Sequence, residues 1–270
     1  MKKIAVVCAP GIGDALIFHI ASHHLTLAGY KVSTITPHDF GRWLPKEDDM
    51  DCDAIFLQHD NSQRAKEIHA INKPIYTFYG SHNEQKHGPL KEGFDYVCDQ
   101  SHTMVENVQE ALKKLFNINA TKENGIVPPK EVIHRLHKKR VIIHATSSSN
   151  EKNWPYPKFI KLAAWLNSEG YEPSFLPLFP TLDQLFAYIY ESGFFIGNDS
   201  GPGHIASCLE IPNLIIGKSK KQMLFWRPGW PNNEVIYPPN WCSKILKINW
   251  NNLITVNSVI KTLTNRTLIK

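Results

Sequence analysis

The sequence predicts an α/β protein made of two halves, each with a mainly parallel sheet. Three observations predict it. The chain opens with a short apolar strand, a glycine turn and a helix that leads into a second strand, a βαβ unit that joins parallel neighbours. A second strand–loop–helix begins at Val141, after a proline-containing link. The third is residues 194–210, FFIGNDSGPGHIASCLE, a buried strand running into a Gly/Pro turn and then a helix. Such a turn sets polar side chains and unpaired N–H groups at a strand's carboxyl end, where open α/β sheets bind ligands.

In chain order, residues 4–9 form a compact apolar strand and residues 10–14 a glycine turn. Residues 15–28 read as a helix ended by Gly29, and residues 31–36 as a β-branched strand closed by Pro37. Strands follow at 54–58, 74–78 and 96–98, with helices at 62–71 and 103–116. Residues 117–139, with Pro128, Pro129 and the basic run 137–140, read as an interdomain link. The expected domains are 1–130 and 131–270.

The second half gives a strand at 141–144, a polar loop at 145–153 and a helix introduced by Trp154 and Pro155 and ended by Gly170. A strand at 174–178, a helix at 182–190, the 194–210 stretch and a strand at 213–216 complete it. Residues 251–270 read as a closing helix that can pack back on the first domain. Two such halves imply a ligand cleft between them.

The 270 residues suit two ordinary domains, and 42% hydrophobic with 20% charged residues marks a globular chain. The net charge of +5 comes mostly from lysine, with no basic run interleaved with aromatics, which argues against nucleic acid as a partner. An anionic substrate or an anionic membrane surface accounts for it as well as nucleic acid would, and plain solubility accounts for it better still. The five cysteines, Cys8, Cys52, Cys98, Cys208 and Cys242, form no C-x-x-C pair, which favours a reducing cytosol over a disulfide framework. The apolar run before Pro10 is shorter than the ~7–15 residues of a signal core, and no stretch approaches the ~18 of a membrane span. A soluble, cytoplasmic protein is expected.

Gly11-Ile12-Gly13-Asp14 has the strand–turn–helix setting of a dinucleotide fingerprint, but Leu16 stands where its third glycine belongs. An NAD(P)-dependent oxidoreductase therefore ranks last. Asp14 sits where a carboxylate can take a proton from a substrate hydroxyl or, more plainly, complement the helix dipole. Residues 144–155 pack hydroxyls, among them Thr146 and Ser147, with Lys152 into a loop before a helix. Hydroxyls and a helix amino end can hold phosphate oxygens, and a lysine can offset charge on a leaving diphosphate. The plain alternative is a solvated loop. In the third stretch Asp199 can accept from sugar hydroxyls and the backbone of Ser200, Gly201 and Gly203 can donate to phosphate; the alternative is an N-cap with His204 as a partly buried helix residue. Asp51-Cys52-Asp53, the His23/His24 pair and His134/His137 lack further ligands at metal spacing, so no metal is expected. Trp226, Pro228 and Trp230 read as a cleft wall or a packed turn.

Together these loops resemble the lipopolysaccharide heptosyltransferase family, the ADP-heptose transferases of glycosyltransferase family 9 with a GT-B fold. The resemblance is carried by Gly11-Ile12-Gly13-Asp14, by His144-Ala145-Thr146 through Lys152-x-Trp154-Pro155, by Asp199-Ser200-Gly201-Pro202-Gly203-His204-Ile205-Ala206, and by Trp226-Arg227-Pro228. It implies two Rossmann-like domains facing across a cleft, with acceptor on the first and nucleotide sugar on an abbreviated second. It further implies metal-independent, inverting transfer with Asp14 as base and Lys152 steadying the diphosphate. Thr146, Ser147, Asp199, Ser200, Gly201, Gly203 and His204 fall at donor-side positions, and Gly11 and Gly13 at the acceptor-side loop. No cofactor is implied beyond the nucleotide diphosphate sugar, with ADP-heptose the candidate. The implied acceptor is an anionic lipopolysaccharide or other cell-envelope glycan, met at the inner face of the cytoplasmic membrane.

The sequence departs from the family between Gly170 and Leu182, where one strand stands in place of two strands and a helix. The missing segment would carry an acidic residue facing the nucleotide ribose. The competing expectation is a non-catalytic GT-B-like module that binds nucleotide or sugar after losing that segment.

Overall fold

The computed structural model describes residues 2–44, 49, 51–239 and 249–265. Cys242 and the end of the expected closing helix lie outside them. The chain divides into two compact units, Met1–Pro128 and Pro129–Lys270.

In the first unit the elements are β1 (Lys3–Val7), α1 (Ile12–Leu27), β2 (Lys31–Ile35), β3 (Ala54–His59), α2 (Gln63–His69), β4 (Ile75–Tyr79), α3 (Glu84–His87), β5 (Asp95–Val97) and α4 (Met104–Phe116). The sheet runs β2-β1-β3-β4-β5 with all pairs parallel. Parallel strands are covered on both faces, which is why β1 and β3 read as unbroken apolar runs. Helix α1 is buried along nearly its whole length, and Phe18 packs on Phe56 and Phe78 with ring centroids 4.8 and 5.5 Å apart. Helix α4, by contrast, is amphipathic. A capping box of Thr103 and Glu106 starts it, and Asn117 ends it in the left-handed conformation at φ 57°. Its apolar face, including Val105, Val108 and Leu112, is fully buried, and the helix packs against α1. The β4–β5 crossover holds only the four-residue α3, none of whose residues is buried.

The second unit comprises β6 (His137–His144), a 3-10 turn (Asn150–Lys152), α5 (Tyr156–Ser168), β7 (Glu172–Phe175), α6 (Leu182–Tyr190), β8 (Ser192–Asn198), α7 (Gly201–Cys208), β9 (Asn213–Ile216), α8 (Lys220–Trp226), β10 (Asn233–Ile236), α9 (Trp250–Leu253) and α10 (Val256–Asn265). Its order is β10-β9-β8-β6-β7, again all parallel. Counted from each unit's first strand, both sheets have the order 2-1-3-4-5. That order reverses direction between the first and third strands, and the crevice outside their carboxyl ends is where doubly wound sheets take ligands.

Three expectations change. The basic run 137–140 is not link but the first half of β6: His137 pairs with Ser192, and a bulge separates that pair from Val141 opposite Phe194. Arg140 is accommodated there by lying over the Tyr188 ring at 4.5 Å and donating to the Ser192 hydroxyl at 3.4 Å. The backbones come so close that a β-carbon on Gly193 would run into the Lys138 carbonyl. Residues 233–236 form a further edge strand, β10. The tail makes two short helices in place of one, and Val259 and Leu263 join Trp154, Phe159 and Leu162 in the second unit's core.

Candidate functional site

In the first unit, the turn after β1 lies at the sheet's switch point and is clamped by its neighbours. The Ala9 N–H donates to Gln58 Oε1 at 2.9 Å from β3, and Arg64 Nη1 of α2 donates to the Cys8 carbonyl at 3.2 Å. The His38 ring, beyond β2, donates through Nε2 to the Pro10 carbonyl at 2.7 Å. Burial pushes the Cys8 thiol up to about 12, so it is an inert packing group. Gly11 caps α1 in extended geometry (φ −74°, ψ 139°), Gly13 is buried, and Asp14 stands in the helix's first turn. The Asp14 carboxylate folds back over Gly11, where any β-carbon would overlap it. Gly11, Gly13 and Asp14 thus form one unit, and Arg64 is an anchor that sequence reasoning passed over because it lies alone on α2.

In the second unit, the switch point falls between β6 and β8, and the two sequence-predicted donor loops leave these adjacent strands. They are tied to each other. His144 Nδ1 lies 2.9 Å from Ser200 Oγ, whose own proton goes to the Asn198 carbonyl at 3.1 Å. Nδ1 therefore carries the hydrogen, and Nε2 accepts from the Thr146 hydroxyl at 3.2 Å. Burial holds His144 down at about 4, so the ring stays neutral and this chain of bonds persists at neutral pH. A second tie runs through Asn198, which is fully buried and accepts the Trp154 N–H at 2.9 Å, fixing the start of α5 to the end of β8. Its Nδ2 also reaches Asn153 Oδ1 at 3.4 Å, the oxygen that accepts the Ser147 hydroxyl at 2.8 Å.

Lys152 closes the 3-10 turn, with no acidic partner among the described residues; its neighbour Glu151 faces Lys218 at 3.9 Å. Asp199 accepts from Gln222 Nε2 of α8 at 3.2 Å. Gly201 begins α7, so its N–H has no intrahelical acceptor. Gly203 acts differently, since its N–H already donates to the Ser200 carbonyl at 3.0 Å, and a β-carbon there would meet Ile215 Cδ1 at 2.8 Å. Its smallness seats α7 on the sheet. His204 is buried beneath the turn with Nδ1 unpartnered, and burial lowers its pKa although Asp199 opposes the shift. Trp226 is exposed at the end of α8 in edge contact with Phe225, while Trp230 is buried. Among the described residues no group of His, Cys, Asp or Glu is arranged to hold a metal ion, and no helix is long and apolar enough to cross a membrane.

Two successive sheets of order 2-1-3-4-5, with polar loops at each switch point, define a GT-B-like α/β protein. Comparison with known proteins narrows the class. Residues 180–252 match the model of glycosyltransferase family 9 (heptosyltransferase), a span that contains the Asp199 to Ala206 motif. The whole chain is similar in fold to the Escherichia coli heptosyltransferase WaaC with ADP-2-deoxy-2-fluoro heptose (12% identity, 98% of this chain and 99% of that one, TM-score 0.69). It is also similar to E. coli ADP-heptose lipopolysaccharide heptosyltransferase II (16%, 98% and 98%, TM-score 0.68) and to a family 9 glycosyltransferase of Veillonella parvula (16%, 99% and 97%, TM-score 0.64). No curated protein sequence matches the chain. The heptosyltransferase resemblance read from the sequence is thus borne out, by the family model over residues 180–252, which hold β8, β9 and β10, and by the fold throughout.

Proposed function

We propose that this protein is a glycosyltransferase that moves a sugar, heptose in the first instance, from a nucleotide diphosphate donor to a hydroxyl of an anionic cell-envelope glycan. The observation that carries this reading is the hydrogen-bonded joining of the loops after β6 and β8 at the second sheet's switch point. It gathers the Thr146 hydroxyl, the Ser200 hydroxyl and the amino end of α7 beside one another. A diphosphate placed there meets the oriented N–H groups at the start of α7 as charge builds on the leaving group, and the Thr146 and Ser200 hydroxyls donate to it once they turn from His144 Nε2 and the Asn198 carbonyl.

In this reading Asp14 takes the proton of the acceptor hydroxyl while its oxygen forms a bond to the anomeric carbon. The bond from that carbon to the diphosphate oxygen breaks with inversion, and the departing electron pair is stabilised by Lys152 and the Gly201 N–H. Thr146 and Ser147 hold phosphate oxygens, and Asp199 accepts from sugar hydroxyls. No step calls on a metal or a cofactor. The acceptor is met at the membrane surface, which suits the chain's modest positive charge.

Calorimetric titration with ADP, UDP, ADP-heptose and UDP-glucose, followed by mass spectrometry of an acceptor glycan, tests the reading. Nucleotide binding that weakens about tenfold in Lys152→Ala, with transfer abolished in Asp14→Asn but binding kept, is the expected pattern. Undiminished transfer by Asp14→Asn refutes the role of that carboxylate. Binding without turnover in the unaltered chain would leave a nucleotide-sugar binding module.

A further inference from the structure

The shortness of α3 leaves a gap that the proposed transfer does not use. A parallel crossover normally lays a helix of several turns over the sheet, whereas α3 rises only about 6 Å and buries none of its residues. The face of β4 carrying Thr77 and Tyr79 is instead the floor of a cavity of about 880 Å³. His59, Lys66, His69, Lys86, His87 and Lys91 stand around it, and no residue of the 8–14 turn does.

The chemistry of this lining is unusual for a gap. Both ring nitrogens of His59 and Nε2 of His69 are buried without a hydrogen-bond partner. The His59 ring lies 5.5 Å from His69, 4.9 Å from His87 and 4.9 Å from Tyr79, centroid to centroid. His87 is satisfied and holds one tautomer: its Nδ1 accepts the Asn83 N–H at 3.1 Å, and its Nε2 donates to Asn61 Oδ1 at 2.7 Å. The unsatisfied nitrogens therefore belong to the two inner rings. Among the described residues, none of Lys66, Lys86 and Lys91 has a carboxylate partner for its ammonium group. Asp95 also lines the cavity, its carboxylate accepting the Lys91 N–H at 2.8 Å, and the nearby Asp60 accepts the Ser62 N–H at 3.0 Å.

Three ammonium groups without carboxylate partners, set around a cavity walled by imidazole rings, favour an anion. A metal ion suits the cavity less, since no three ligands are arranged for one among the described residues and the lysines would repel it. Asn61, Ser81 and Asn83 add hydroxyl-sized donors and acceptors at the rim, and Tyr79, stacked on His87 at 5.3 Å, supplies a flat wall. We propose that this cavity binds a soluble sugar phosphate, with the phosphate among Lys66, Lys86 and Lys91, the sugar hydroxyls against Asn61, Ser81 and Asn83, and the rings of His59 and Tyr79 as its wall. The site stands apart from the transfer reaction and does not depend on it.

Protonation should couple to binding. Burial, and then the neighbouring His87 and His69, hold His59 below its ordinary 6.5. His69 and His87 are lowered by burial as well. The other charged groups facing these rings are Lys66, Lys86, Lys91, His82, Asp60 and Asp95, with Tyr79 neutral. A bound phosphate favours the imidazolium forms, so acidification strengthens the rings' share of the binding, while the phosphate's own second proton, taken up at about pH 6, works against it.

The experiment is calorimetric titration of the full chain with glucose 1-phosphate, inorganic phosphate, glucose and zinc chloride, each alone. Glucose 1-phosphate should bind, inorganic phosphate more weakly and glucose not at all. Lys86→Ala and Lys91→Ala, both at exposed positions that leave the fold intact, should each weaken binding about tenfold, as loss of a charge-assisted hydrogen bond does. His59→Asn should reduce the pH dependence, leaving the share of His69 and His87, with circular dichroism confirming its fold. No binding of either phosphate, equal binding of glucose and its phosphate, or tight binding of zinc alone overturns the proposal.

Discussion

Asn198→Ala separates the two donor loops at their most buried tie. The side chain is inaccessible to solvent, and its Oδ1 is the acceptor for the Trp154 N–H at 2.9 Å. Truncation leaves that N–H inside the protein with no partner, which costs about 1–3 kcal/mol, and the emptied volume adds to it. About 2–3 kcal/mol in all is expected. For a unit of this size each kcal/mol is worth roughly 3–4 °C, so the second unit's melting temperature should drop by about 6–12 °C. Asn153→Ala is the control. It loses two 3.4 Å contacts, from Asn198 Nδ2 and to Asn150 Oδ1, and a bond from the Ser147 hydroxyl, which keeps the Ser149 carbonyl as acceptor, and should cost about 1 kcal/mol. Differential scanning calorimetry of the two variants, with nucleotide titration alongside, reads both effects. If Asn198→Ala melts within about 2 °C of the unaltered protein, or if Asn153→Ala is equally damaging, the buried tie does not organise the site.

Two further outcomes follow from the first unit's turn and from the buried histidines. Gly11→Ala puts a β-carbon where the Asp14 carboxylate lies, while the extended backbone at residue 11 accepts any residue without strain. Transfer should fall about 100-fold or more with nucleotide affinity and melting temperature unchanged, and retained activity would detach Asp14 from the reaction. His19 and His144 are both held at about 4 by burial, below the ordinary 6.5. Between those values the unfolded chain binds protons that the folded one does not, so stability is complete above about 6.5 and declines as pH falls toward 4. Thermal melts across that window should show the decline, and His144→Asn should flatten part of it; a curve that rises on acidification contradicts the burial of both rings.

The elements legible in the sequence are those whose side chains report burial directly. The apolar runs of β1, β3 and β9, the capped and amphipathic α4 and the Gly/Pro turn into α7 were all readable because local chemistry and final environment agree. The start of β6 was hidden because charged side chains on a strand's exposed end look like a solvated link, and only Gly193 and Tyr188, some fifty residues on, make room for Arg140. Strand β10 is four half-buried residues with no pattern long enough to read. In the donor loops the residue types were legible, but the His144–Ser200 bond that joins them spans the sheet and has no local trace. The histidine cavity was invisible for the same reason: His59, His69 and His87 meet because α3 is too short to keep them apart, and no spacing in the chain announces that.

The repeated strand order has a consequence for how this chain can vary. Each sheet is closed within its own half, since no strand of one is supplied by the other among the described residues. The family model recognises residues 180–252 alone, while likeness of fold runs the length of the chain. The second half carries its likeness to the family model in its side chains, whereas in the first the likeness to the solved structures lies in the path of the backbone.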